Sequence, residues 1–444
     1  MVRLKRRRLV SAVVVVTMLL LFYRVAHFLF GARGYDIMPD TPTPARSRPG
    51  TDIVLGQECS PFSSGLMDDV TVVLKLGDAE VRSALPAYLD RIARCRIDLL
   101  IFSDHDAEYN GYKIIDALRA LHPEYKYQNP DFDIYDRIQA ANGNAEKTEE
   151  GWRLDKYKFL PMMEITAHKR PESNWFIFVE LDTYVNWDNM YRFLSRFNPK
   201  TPYHFGSPVW PKGKTVFAHG GSGFVLSRGA MNRLIARGRM FAENHLYPGT
   251  HLFGKPVSTM CCGDEVLAHV LKECGVSLRG YWPMFNGEKP ASVRFGWEQW
   301  CESILTMHHL QDHDFDELKS WEAARKRPAT PFTFEELFSF IEPHLIDQAT
   351  DWSNLSEDKV FKAPQRAAKS VDHCLAACKR DGKCMQYEHF GDTCRLSYVI
   401  RLGHSQSPEG STKWVSGWIK DRVQAFKADY SPCDGPHFVH ANPK

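Results

Sequence analysis

Glu180 and Asp182 stand one residue apart near the end of the segment Phe176-Ile177-Phe178-Val179-Glu180-Leu181-Asp182-Thr183-Tyr184-Val185. The bulky apolar run ahead of them is a strand bound for a core, and alternation along a strand puts both carboxylates on one face. Two acids reaching one point suit a hard divalent cation that in turn grips a diphosphate. Many nucleotide-sugar transferases use an Asp-x-Asp-like arrangement of this kind. The plainer alternative is a buried strand whose end carries two solvated acids.

Other residues carry weaker signals. In Gly263-Asp264-Glu265-Val266-Leu267 two acids open a helix expected to run to about Glu273. Acids in a first turn complement the helix dipole; the chemical alternative is a catalytic base. His308-His309 offers a metal ligand after the apolar Ile304-Leu305, although single histidines are often structural. His219-Gly220-Gly221-Ser222-Gly223 lets backbone approach a ligand closely, because glycine lacks a Cβ. In Trp152-Arg153-Leu154-Asp155-Lys156-Tyr157-Lys158-Phe159 the expectation is that Lys156 meets a phosphate and an aromatic stacks a base, while Lys158 reads as part of a charged helix face.

The elements that must position these groups alternate. Val70 to Lys75 and Ile97 to Phe102 read as strands, the second ending at Ser103-Asp104. Helical spacing is expected over 79–93, 111–121, 154–168 and 190–197, with Phe176 to Val179 as a central strand. Strand-helix-strand order argues for an α/β protein with a mainly parallel sheet. Ligands then bind beyond the carboxyl ends of the strands, where both Asp104 and Asp182 fall.

The chain ends indicate location. Residues 1–8 hold Arg3, Lys5, Arg6, Arg7 and Arg8, and 9–30 form an apolar run. About 20 apolar residues span a bilayer core, and the basic flank stays cytosolic. The expectation is an uncleaved signal anchor of a single-pass type II membrane protein, its C-terminal bulk in the Golgi or endoplasmic reticulum lumen; a cleaved secretory signal is the competing reading. Residues 31–56, with Pro39, Pro42, Pro44 and Pro49, read as an extended stem. Lys+Arg 56 against Asp+Glu 54 leaves no nucleic-acid footprint. Eleven cysteines in an oxidising compartment imply several disulfides and an odd thiol. Asn354-Leu355-Ser356 is an N-glycosylation sequon.

In their order, Trp175 to Val185, Ala218 to Ser227, Cys261-Cys262-Gly263-Asp264 and Leu305-Thr306-Met307-His308-His309 resemble glycosyltransferase family 31, the fringe-like and β-1,3-galactosyltransferase superfamily, and most closely its fungal members. The resemblance covers roughly Val70 to Leu310. It implies a Rossmann-like GT-A fold over 57–345, a UDP-sugar donor, Mn²⁺ and inversion at the anomeric carbon. It further implies that Asp182 and His308 hold the metal, with Glu180 and His309 the lesser candidates. By the same likeness Asp264 is the base, with Glu265 behind it, and Gly220, Gly221 and Gly223 flank donor and acceptor. Asp104 and Lys156 fall near the nucleotide. The family's triple-acid motif reads Glu-Leu-Asp here, so its middle acid is absent.

From about Asp351 the character changes. Cys374, Cys378, Cys384 and Cys394 are spaced as a disulfide framework rather than a zinc site. Residues 351–444 resemble a PAN/apple domain, a small disulfide-rich α+β fold that binds proteins or carbohydrates. Two readings of the whole compete: an inverting transferase moving galactose or a related hexose in β-1,3 linkage to a glycan or glycoprotein, and a catalytically inactive, membrane-tethered carbohydrate-binding protein. A zinc hydrolase is a distant third, because no His-Glu-x-x-His cluster occurs.

Overall fold

A computed structural model describes residues 59–442 apart from 94, 120, 122, 144–147, 244–256, 326–328 and 439–440. The expected basic tail, anchor and stem lie outside them. Among the described residues no helix is long and apolar enough to cross a membrane.

The strands of the main sheet are β1 (Val70–Lys75), β2 (Asp98–Ser103), β3 (Ala107–Tyr109), β4 (Tyr112–Asp116), β5 (Trp175–Val179), β7 (His204–Gly206), β10 (Phe224–Ser227) and β11 (Leu278–Gly280). Short pairs outside it are β6 (Tyr184–Val185) with β12 (Thr306–Met307), and β8 (Pro208–Val209) with β9 (Phe217–Ala218). The sheet runs β11-β7-β10-β5-β1-β2-β4-β3. β1 pairs in parallel with both β2 and β5, β2 with β4 and β11 with β7, whereas β10 runs antiparallel to β5 and β7. Trp175, Ile177 and Val179 of β5 face one core, and Phe176 and Phe178 face the other. Burial on both faces explains why this strand shows no polar alternation.

The long helices are α1 (Leu85–Ile92), α2 (Phe132–Ala140), α3 (Asp155–Lys169), α4 (Trp187–Leu194), α5 (Arg228–Glu243), α6 (Gly263–Glu273), α7 (Asp312–Ala323) and α8 (Phe334–Ile341). Three expectations need correction. The helix over 79–93 is two pieces, Glu80–Ser83 and α1, with Pro86 in the first turn of the second; proline favours a fresh start over continuation. The helix over 111–121 is instead the β3–β4 hairpin. Asn110 and Gly111 carry φ of 47° and 83° at its turn, the Asn-Gly signature of a two-residue hairpin, and Ile114 and Ile115 lie beside β2. The helix over 190–197 begins earlier, at Trp187, where the Asn186 side chain accepts from the Asn189 amide.

From Ala349 onward a second sheet forms, all antiparallel, in the order β13 (Ala349–Thr350), β19 (Val415–Trp418), β16 (Gln386–Phe390), β17 (Thr393–Ser397) and β15 (Lys359–Lys362). A minor pair, β14 (Trp352–Ser353) with β18 (His404–Ser405), sits beside it. Helix α9 (Val371–Arg380) is tied down by Cys374–Cys394 and Cys378–Cys384. Cys59–Cys95, Cys261–Cys262 and Cys301–Cys433 complete the bridges, and Cys274 is the free thiol. Phe295 and Ile400 exchange backbone hydrogen bonds, and Ile400, Trp418, Val423 and Phe426 share one apolar cluster with Trp300 and Phe338. After α10 (Lys420–Tyr430) the tail returns to the first sheet, where the Asn442 amide donates to the Gly280 carbonyl at 2.7 Å.

The sequon is also corrected. Asn354 is fully buried, and its amide nitrogen donates to the carbonyls of Tyr387 (3.1 Å) and Gly417 (3.4 Å). The folded module leaves no room for a glycan there.

Candidate active site

β5 stops at Val179, and Glu180 to Thr183 form a turn closed by the Thr183 amide donating to the Glu180 carbonyl. The two acids therefore lie in a turn beyond the strand and not on alternating strand positions. Immediately after it, β6 pairs with β12 in the register Met307↔Tyr184. That pairing carries His308 against Asp182: Nε2 lies 3.2 Å from Asp182 Oδ1 and 3.9 Å from Glu180 Oε2. His309, at φ 63°, lays its ring against that of His308, centroids 3.9 Å apart, and places Nδ1 3.7 Å from Asp182 Oδ2. One ligand atom each from Asp182, His308 and His309 falls within 4.8 Å of the others.

His308 is 6% exposed, and neither of its ring nitrogens has a hydrogen-bond partner. An unpaired buried imidazole beside a carboxylate is costly without a cation or proton between them. The nitrogen and oxygen donors fit a divalent ion of intermediate softness. Burial acts to raise the Asp182 carboxyl, but the adjacent His308 imidazole, with a lesser charge effect from His309, outweighs it and holds the carboxyl below its ordinary value. Glu180 is engaged elsewhere, 3.0 Å from Lys75 Nζ.

Gly220 to Gly223 join this cluster to a second acid. The Gly220 amide donates to Asp264 Oδ2 at 2.7 Å, and Thr183 Oγ1 donates to the Gly221 carbonyl at 2.9 Å. A Cβ at Gly221 would overlap the His308 ring, so close packing requires glycine there. Gly223 turns the loop at φ 72°. Asp264 opens α6, and burial pushes its carboxyl up to about 6, the Gly220 bond only partly opposing. Glu265 does not share this position. It is buried, lies 3.2 Å from Lys214 Nζ and accepts from the Cys261 amide at 2.9 Å.

On the other side of Asp182 opens a cavity of about 960 Å³, lined among others by Lys75, Asp104, Trp152, Asp155, Lys158 and Glu180. Lys156 and Lys158 of α3 both depart from expectation. Lys156 points away from the cavity to Asp131 (2.9 Å) and the Ser258 carbonyl (3.2 Å). Lys158, expected on a solvated face, is 1% exposed and reaches Asp104 at 2.6 Å and Asp155 at 3.1 Å. Residues two apart on a helix point to nearly opposite sides, and only the packing decides which side meets the sheet. Lys75, bridging Asp155 and Glu180, is a site residue that sequence reasoning misses; a lysine closing an apolar strand is its signal. Of the aromatics in the 152–159 stretch, Trp152 is the one lining the cavity, 62% exposed.

Residues 119–273 match the Fringe-like family model. The Fringe-like stretch contains Lys158, Glu180, Asp182, the glycine loop and Asp264; Asp104 and His308 lie outside it. Glycoprotein-N-acetylgalactosamine 3-beta-galactosyltransferase 1 of Xenopus laevis is 39% identical over 71 residues, which is 16% of this chain and 20% of that relative. The likeness thus spans about a fifth of the curated relative's length.

Proposed function

We propose that this chain is an inverting glycosyltransferase that moves a hexose from a UDP-sugar to a hydroxyl of a glycan or glycoprotein, in β-1,3 linkage. One observation carries the reading: a glycine loop touches the raised carboxyl of Asp264 with one residue and packs against His308 with the next. A raised carboxyl and a pair suited to a cation thus flank one loop, and Asp182 of that pair lines a cavity able to take a nucleotide. Asp182 and His308 would hold a divalent cation, with Mn²⁺ the first to test, and His309 is the third group in reach. When bound, that ion supplies neutralisation of the charge gathering on the departing diphosphate.

The chain's own groups do the rest. Asp264 accepts the proton of the acceptor hydroxyl as its oxygen bonds to the anomeric carbon. The bond from that carbon to the diphosphate breaks on the opposite face, UDP leaves, and configuration inverts in a single displacement. Lys75 and Lys158 hold the acid-lined cavity at workable charge, and Trp152 offers an exposed ring to a base. The Xenopus relative's name puts galactose first among donors to try and protein-linked N-acetylgalactosamine first among acceptors. The five disulfides suit a luminal compartment, and the disulfide-tied second sheet is compatible with a PAN/apple-type binding module.

The test is UDP release by the full chain across a panel of UDP-sugars, with and without Mn²⁺, beside Asp182→Ala and Asp264→Ala. Release with one donor, lost on chelation and in both variants, supports the proposal. Leu181 in place of the family's middle acid favours the second reading, an inactive carbohydrate-binding protein. No release from any donor, with glycan binding intact, would establish that reading instead.

A further inference from the structure

A second cleft lies along α6 beyond Asp264, and the chemistry above makes no use of it. The turn between β8 and β9 carries Trp210, 55% exposed, and Lys214, and both line a cavity of about 210 Å³. β9 leads directly into His219-Gly220, so this hairpin and the loop that touches Asp264 are one continuous segment. Ala268 and Lys272 form the helical wall. They follow Asp264 by four and eight residues on the same helix face, which puts them about 6 Å and about 12 Å farther along the axis.

Gly280 forms part of the opposite wall, where a Cβ would come within 2.7 Å of Pro208 Cγ and 3.1 Å of Asn442 Oδ1. Asn442 belongs to the returning tail. Its side chain accepts from the Trp282 amide at 2.8 Å and donates to the Trp282 carbonyl at 3.1 Å. The C-terminal part of the chain therefore helps build a pocket beside the proposed base.

We infer that this cleft is a second acceptor subsite, taking a neutral saccharide unit next to the one that presents the reacting hydroxyl; the inference rests on the transferase reading. Its helical wall starts one turn beyond Asp264 on the same face, so a saccharide of more than one unit could reach both. An exposed indole matches the apolar face of a pyranose ring, and the polar groups of Lys272 and Asn442 match its hydroxyls. Lys214 is already paired with Glu265, so the cleft has no strong call for an anion. The volume is too small for a helix laid in a groove.

The experiment compares kcat/KM for p-nitrophenyl acceptors of one, two and three sugars that share the same reactive terminus, alongside a matched glycopeptide. The full chain is compared with Trp210→Ala and Lys272→Ala. In the wild-type chain the second sugar is expected to raise kcat/KM by about fivefold, the scale of one aromatic contact. Trp210→Ala removes most of that gain while the one-sugar value stays within about twofold, a split that general loss of fold would not produce. Lys272→Ala, on an exposed position, gives the same sign should Trp210→Ala fold poorly. No gain from the second sugar, an equal gain in all three proteins, or a gain from the peptide alone would overturn the subsite. Saturation-transfer NMR with the trisaccharide and no donor keeps the two ideas apart. If no donor releases UDP, a trisaccharide signal that disappears in Trp210→Ala still supports the cleft, and a signal unchanged in both variants removes it.

Discussion

At the scale of single residues, Asp264 makes two demands. Its carboxyl, pushed up to about 6 by burial, must be ionised to accept a proton. Transfer is therefore expected to fall as pH is lowered through about 6, and a pH–rate profile flat to well below that would remove Asp264 as the base. The same shift favours the neutral acid in the folded state. The stability it contributes is full below the ordinary carboxylate range and lost as pH rises through about 6. Asp264→Asn should thus abolish transfer yet raise thermal stability at neutral pH, by up to about 3 kcal/mol, with the gain vanishing at pH 4; melting curves at the two pH values check it. Lys158 is a separate case. Removing this buried cation strips Asp104 of its ion-pair partner and leaves Asp155 with Lys75 alone, so Lys158→Met is expected to cost about 3–5 kcal/mol in denaturant unfolding. Asp182, Asp264 and His308 are legible as residues from type and position. The choice between Lys156 and Lys158 is not, because both are buried on opposite sides of one helix, and packing alone fixes which side meets the cavity.

At the scale of elements, the glycine loop and the start of α6 carry the site, and both depend on the absence of a side chain. A Cβ at Gly221 would overlap the His308 ring, and one at Gly263 would overlap the Phe159 ring of α3. Gly221→Ala is expected to lower activity by at least about tenfold, since the imidazole or the loop must shift. Gly263→Ala should instead cost stability, about 1–3 kcal/mol, through overpacking. Activity assays and denaturation on the same two proteins separate the effects, and equal losses of both kinds would contradict this assignment. The strands β1, β2 and β5 can be read from apolar runs. The β3–β4 hairpin is hidden under apolar residues that also fit a helix, although Asn110-Gly111 marks the turn.

At the scale of the molecule, the second sheet is bonded to the first part of the chain by backbone, core and disulfide. Opening Cys301–Cys433 with a double serine substitution is expected to cost about 2–4 kcal/mol, and to loosen the tail that brings Asn442 to Trp282. Thermal unfolding checks the first effect, and faster proteolysis after Tyr430 the second. Sequence alone determined the alternation of strands and helices, the apolar centre of the sheet, the four-cysteine framework and the residue types suited to a cation and a base. Those features are local: they depend on periodicity, spacing and side-chain chemistry within short stretches. Tertiary structure decided which groups meet. His308 reaches Asp182 because β12 pairs with β6, Glu180 is drawn off by Lys75, Asn354 is sealed inside a core, and the tail returns to a cleft near Asp264. Such contacts join segments far apart in the chain, and their energies depend on burial and geometry that no local pattern encodes.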